Sequence, residues 1–92
     1  MVALSYMGRV AALGCVLCRR LGAGHVYATV HHIRAGRGIA QRSSDYLTIP
    51  LCPECHQGPN GIHGDRSLLR VAKCEELDLL ADTIELLHKR SK

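Results

Sequence analysis

"HHIRAGRGIAQRSSDYLTIPLCPECH", residues 31–56, contains an apolar run ending in paired histidines, a glycine- and arginine-rich break, and a second apolar run that delivers two cysteines and a histidine. The first run begins upstream, where "VYATVHHI" is β-branched and apolar after Gly22 and Gly24, and predicts a strand over residues 26–33. "RAGRGIAQRSS" is a loop, too long for a tight hairpin but able to join adjacent antiparallel strands. "DYLTIPLC" is the second strand, and Pro50 near its end is consistent with a sheet edge.

The cysteines extend the pattern in both directions. Cys15-Val-Leu-Cys18 and Cys52-Pro-Glu-Cys55 are two C-x2-C knuckles, and each turns two thiolates toward one point, the spacing of a tetrahedral zinc site. A chain of 92 residues with no Trp, no Phe and three Tyr needs such a staple, because it lacks the large rings that dominate small cores. The N-terminal stretch carries Arg9 and neither a long apolar run nor a basic leader, so no signal peptide and no membrane span is expected. A reducing, cytoplasmic setting then favours structural zinc over disulfides. Cys74, left over among apolar neighbours, reads as a small buried residue.

Outward from the knuckles the chain reads as helical. Tyr6, Val10 and Leu13 predict a short helix ending at Gly14. "HQGPNGIHGDR" is broken by glycines and a proline and cannot be one continuous helix. From Ser67 onward Leu69, Ala72, Leu80, Ile84 and Leu87 carry a helical apolar stripe closed by Lys89 and Arg90, with a break near Cys74-Glu75 that could split it in two. The expected organisation is one α+β domain: residues 1–25 with a helix and the first knuckle, 26–66 with the strands and the second knuckle, and 67–90 helical.

Charge is uneven. Arg9, Arg19, Arg20, Arg34, Arg37 and Arg42 precede the first acid, Asp45, whereas Glu75, Glu76, Asp78, Asp82 and Glu85 cluster late, within a net charge of +4. The first half therefore suits a polyanion such as DNA. His31, His32, His56 and His63 all lie beside the strand end, the second knuckle or the glycine-rich loop after it. Adjacent strand residues point to opposite faces, so His31 and His32 fit a division into one metal ligand and one general base. His25 and His88 read as surface histidines.

"HHI" followed by "IPLCPECH" and framed by an upstream C-x2-C resembles the HNH, or ββα-metal, nuclease superfamily. The longer run through "GPNGIHGDR" is similar to the phage-type RecA-dependent nuclease (Ref-like) family. The resemblance implies a zinc-stapled ββα-metal domain that hydrolyses DNA phosphodiesters in a bacterial host, as a phage or prophage protein. His31 would take the first metal-ligand position, often an Asp in the superfamily but a His in colicin-type nucleases. His56 and His63 would complete the catalytic ion's site, His32 would be the general base, and Cys15, Cys18, Cys52 and Cys55 would hold structural zinc. The middle Asn of the HNH name has no clear counterpart; Asp45 or Tyr46 occupies its region, and a backbone carbonyl of the second strand could orient the second nitrogen of the base.

Arg34, Arg37, Arg42 and Arg66 are the candidates for phosphate contacts. Imidazole ligands favour zinc or nickel, while nucleases commonly use magnesium or manganese. A RecA filament is a further candidate partner, and the late acidic set could dock on it. Two alternatives stand beside the nuclease: a non-catalytic zinc-stapled nucleic-acid-binding module, and an accessory factor of a recombinase. Oligomeric state is left open, and weak sequence specificity is expected from so small a domain.

Overall fold

A computed structural model describes residues 5–33 and 44–90. Seven elements follow in order: α1 (Tyr6–Ala12), α2 (Val16–Arg20), β1 (Thr29–His32), β2 (Thr48–Leu51), α3 (Pro53–Gln57), α4 (Ser67–Ala72) and α5 (Glu76–Arg90). The architecture is α+β, a two-stranded antiparallel sheet with helices around it.

The first knuckle is a helix cap. Cys15 is the N-cap of α2, and its Sγ accepts the Cys18 N–H at 3.3 Å. Cys52 caps α3 in the same way, with Pro53 at the first helical position and the Cys55 N–H 3.5 Å from its Sγ. A C-x2-C spacing thus places one sulfur at the cap and the next in the first turn, on one side of the backbone. The sequence reading anticipated the knuckles but not that each opens a five-residue helix.

Helix α1 starts where Ser5 Oγ accepts the Gly8 N–H at 3.0 Å and stops ahead of Gly14, as the spacing predicts. Gly14 turns left-handed at φ 82°, and a side chain there would run into the His25 ring. The chain then passes Val26, whose carbonyl accepts the Cys15 N–H at 2.9 Å, before β1 begins. That strand is shorter than predicted: it begins at Thr29, and Val26 bonds to the first knuckle instead.

The two strands pair Thr29 with Leu51, Val30 with Pro50, His31 with Ile49 and His32 with Thr48. Every residue of β2 is buried, and Pro50 is tolerated because a two-stranded sheet has only edges. Ile49, Leu51, Val16, Leu17 and Leu79 form the main core with the cysteines, while Val10, Leu13 and Leu87 form a second cluster under α1. Each fully buried aliphatic side chain contributes roughly 1.5–3 kcal/mol, a modest core without large rings.

The C-terminal helical stretch breaks at Lys73, which is left-handed at φ 56° and ends α4. Asp78 then accepts the Glu75 N–H at 2.8 Å and starts α5. One position of the predicted stripe is corrected: Ile84 is 51% exposed, and Thr83 takes the inward place, its buried hydroxyl donating to the Leu79 carbonyl at 2.8 Å. A hydroxyl satisfied within its own helix costs little to bury, so apolar spacing alone misplaces the helix by one residue. Cys74 packs half-buried against the core, and burial raises its pKa.

Candidate functional site

The caps of α2 and α3 face each other. Cys15, Cys18, Cys52 and Cys55 bring their sulfurs within 4.8 Å of one another, and Cys18 Sγ lies 3.6 Å from Cys52 Sγ and 3.7 Å from Cys55 Sγ. Zinc–sulfur bonds of about 2.3 Å at tetrahedral angles set sulfurs about 3.8 Å apart, so the donor set fits zinc; a disulfide needs about 2 Å. Hydrogen bonding from Cys55 holds the Cys15 thiol down to about 5, while burial and then Cys15 push Cys18 up to about 12. Cys55 is raised as well, first by its bond to Cys15.

One residue beyond this cluster a second begins. His56 follows Cys55 on α3, and its Nε2 lies 3.1 Å from His31 Nδ1 on β1 and 3.1 Å from His63 Nε2 on the following loop. The loop is held in register by two backbone bonds, Ile62 N–H to the Cys55 carbonyl at 2.8 Å and His63 N–H to the His56 carbonyl at 3.0 Å. Gly61 makes that approach possible, since a Cβ there would overlap the Cys55 carbonyl.

Each of the two 3.1 Å contacts among these imidazole nitrogens needs a proton or a cation between its lone pairs. A proton can bridge one pair, whereas metal–nitrogen bonds of about 2.0–2.1 Å hold neighbouring nitrogens at about 2.8–3.4 Å, so the set fits a divalent cation. Burial, then the neighbouring His31 and His63, lower the pKa of His56 and favour the neutral ring that ligation requires. His31 is buried, His56 half-buried and His63 exposed, so the group opens to solvent on the loop side.

His32 stands apart from this group. The alternation of β1 turns it away from His31, and its side chain is 36% exposed. Its Nε2 lies 3.0 Å from Asp45 Oδ1, in the turn that leads into β2. That turn is fixed by Thr48 Oγ1 donating to the Asp45 carbonyl at 2.8 Å and by Ile33 N–H donating to the Leu47 carbonyl at 2.8 Å. Of the groups the sequence offers for holding this ring, the Asp45 carboxylate is the one at Nε2.

A residue absent from the predicted site completes the picture. Glu76, the first residue of α5, places Oε1 2.8 Å from His31 Nε2 and Oε2 3.1 Å from Arg66 Nη2. Its hydrogen bond to His31, and then Arg66, lower its pKa despite burial. Sequence had grouped Glu76 with an acidic docking surface, and no spacing signal links residues 45 positions apart.

That surface is not one free face. Glu76 turns inward, Asp82 pairs with Arg20 at 2.6 Å, Asp78 caps α5, and Glu85 lies 3.9 Å from Lys89. Arg66 also donates to the Ile62 carbonyl at 3.3 Å, so two of its nitrogens serve the site's own framework. Arg34, Arg37 and Arg42 lie outside the described residues. His25 and His88 are exposed and outside both clusters. Among the described residues no helix is long and apolar enough to cross a membrane.

No curated protein and no solved structure matches the chain significantly. A family model does, over residues 3–75, which include both cysteine knuckles and all four site histidines. That model describes recombination-enhancement, RecA-dependent nucleases, and with most of its length matched the chain belongs to this family.

Proposed function

We propose that the protein is a metal-dependent DNA endonuclease of the HNH type. The observation that carries the reading is the separation of its histidines: three imidazoles converge on one point, while His32, one residue from the first of them, faces away and meets a carboxylate. A divalent ion held by His31 Nδ1, His56 Nε2 and His63 Nε2 would supply charge neutralisation at the phosphate and at the departing oxygen. Cys15, Cys18, Cys52 and Cys55 would hold a structural zinc that fixes α3 and with it His56.

The chain's own residues would do the proton work. With Nε2–H donated to Asp45, His32 keeps a lone pair on Nδ1 for a water proton. The water oxygen bonds to phosphorus as that proton moves to His32, the bond from phosphorus to the 3′ oxygen breaks, and the 3′ oxygen takes a proton from solvent water, leaving 5′-phosphate and 3′-hydroxyl ends; His32 returns its proton to solvent. Asp45 stabilises the imidazolium that forms and holds the ring's orientation. Arg34, Arg37 and Arg42, on the loop beside His32 in sequence, are proposed phosphate contacts, with Arg66 contributing whatever donors its framework bonds leave free. A RecA filament, which the family's description supports, is the proposed partner that brings the site to DNA; the cytoplasm of a bacterial host and a phage or prophage origin are proposed with it.

A plasmid-nicking and single-strand cleavage assay tests this, with magnesium, manganese, zinc or nickel, with and without RecA filaments. Wild type is expected to cut, and a folded, zinc-loaded His32→Ala to lose roughly 10²–10⁴-fold in rate. If neither protein cuts under any condition while both bind DNA, the nuclease reading gives way to a zinc-stapled binding module.

A further inference from the structure

The family match ends at residue 75, and Glu76 is the next residue. It nevertheless reaches the histidine cluster. Resting on the reading of His31, His56 and His63 as a metal centre, we propose that Glu76 is a positioning residue for His31: it fixes the ring in the tautomer that leaves Nδ1 bare, and Arg66 holds the carboxylate in place.

Donors and acceptors decide the tautomer of His31. An ionised carboxylate can only accept, so the His31 nitrogen at 2.8 Å from Glu76 Oε1 must carry the proton, and that nitrogen is Nε2. A neutral imidazole has one N–H, which leaves Nδ1 as a lone pair, and Nδ1 is the atom that faces His56 at 3.1 Å. The ring cannot turn without breaking this bond, whose partners are 7% and 19% exposed and therefore little disturbed by water. Without the carboxylate, either tautomer and a range of ring angles become available, and one of the three nitrogens is no longer aimed.

Arg66 makes the arrangement rigid. Its guanidinium accepts nothing and donates twice, to Glu76 Oε2 at 3.1 Å and to the carbonyl of Ile62, the residue before His63, at 3.3 Å. One side chain therefore ties α5 to the loop that carries His63. Its own backbone sits left-handed at φ 63°, a conformation unfavourable for a residue with a side chain and retained here between that loop and α4. His31 and His63, from β1 and from the loop, are thus referred to one another through Glu76.

The test is a direct measurement of metal binding. The protein carrying one equivalent of zinc is titrated with Ni2+ by calorimetry, as wild type, Glu76→Ala, Glu76→Gln and Arg66→Met, with zinc content and Tm measured in parallel. Glu76→Ala is expected to bind Ni2+ about 10–100-fold more weakly while keeping its zinc. Glu76→Gln, which still offers an oxygen to Nε2–H, is expected to lose less, and Arg66→Met to lose in the same direction. Nitrogen-15 spectra of the imidazoles supply a readout that a merely structural latch would not move: His31 should be the Nε2–H tautomer in wild type and a mixture in Glu76→Ala.

Unchanged Ni2+ affinity and an unchanged His31 tautomer in Glu76→Ala would overturn the proposal and leave the metal centre standing. Failure of wild type to bind Ni2+ beyond its zinc would overturn both. If Glu76→Ala does not fold, Glu76→Met, which keeps the length of the side chain and offers Nε2–H no oxygen, decides, with a tautomer mixture and weakened Ni2+ binding supporting the role and wild-type values for both refuting it.

Discussion

The cysteine and histidine clusters sit on neighbouring residues of α3 yet are built on opposite plans. Four sulfurs come from the caps and first turns of two helices, three of the four residues are buried, and four donors would close a tetrahedron around zinc. Three imidazoles come from a strand, a helix and a loop, and their exposure rises from His31 through His56 to His63. A closed, buried donor set suits holding a fold together; an open one, with an edge to solvent, suits meeting a substrate.

That contrast breaks most severely at the sulfurs. Cys52→Ser removes both a donor and the cap of α3, and structural zinc in small domains supplies roughly 10–16 kcal/mol of binding, as much as a typical domain's whole stability. The expected outcome is loss of cooperative thermal unfolding together with loss of zinc, seen by circular dichroism and metal analysis. A folded Cys52→Ser without zinc would show that the cluster is not the staple.

His56→Ala tests the other plan with a smaller structural effect. It should keep its zinc, shift Tm by only a few degrees, and lose second-metal binding and DNA cleavage, because both short nitrogen contacts run through His56. Wild-type cleavage in this variant would remove the histidine cluster from the mechanism.

Acidification sharpens the comparison most gently. Burial places the pKa of His56 below its ordinary value near 6.5, so protons compete for its lone pair only below that point. The unfolded chain takes up that proton more readily than the folded one, so this residue's contribution to stability falls as pH drops through about 6.5. Titrating from pH 7.5 to 5.5 should release Ni2+ from the histidines while zinc stays on the sulfurs; simultaneous release of both ions would erase the distinction.

What sequence could show follows from distance along the chain. C-x2-C spacing is local, and helix capping turns it into geometry without help from the rest of the fold. His56 inherits that precision from Cys55, and His63 follows because the glycines of "GPNGIHG" allow the chain to return. Sequence offers Asp45 only beside Tyr46, in the region of the HNH Asn, because its carboxylate contact depends on how Thr48 pins the turn before β2. Glu76 was invisible, because its meeting with His31 is made by the packing of α5 against the sheet, which no motif records. Thr83 escaped for a related reason, since a buried hydroxyl can hide its polarity inside its own helix.

The peptide bond between Cys55 and His56 has a practical consequence for anyone assaying this protein. If the sulfurs hold zinc as proposed, a chelator strong enough to draw it out would release the helix that aims His56, so inhibition by EDTA would be the same whether the lost ion was structural or catalytic. Recovery after adding back metals one at a time, with the zinc content of each sample known, separates the two where simple inhibition cannot.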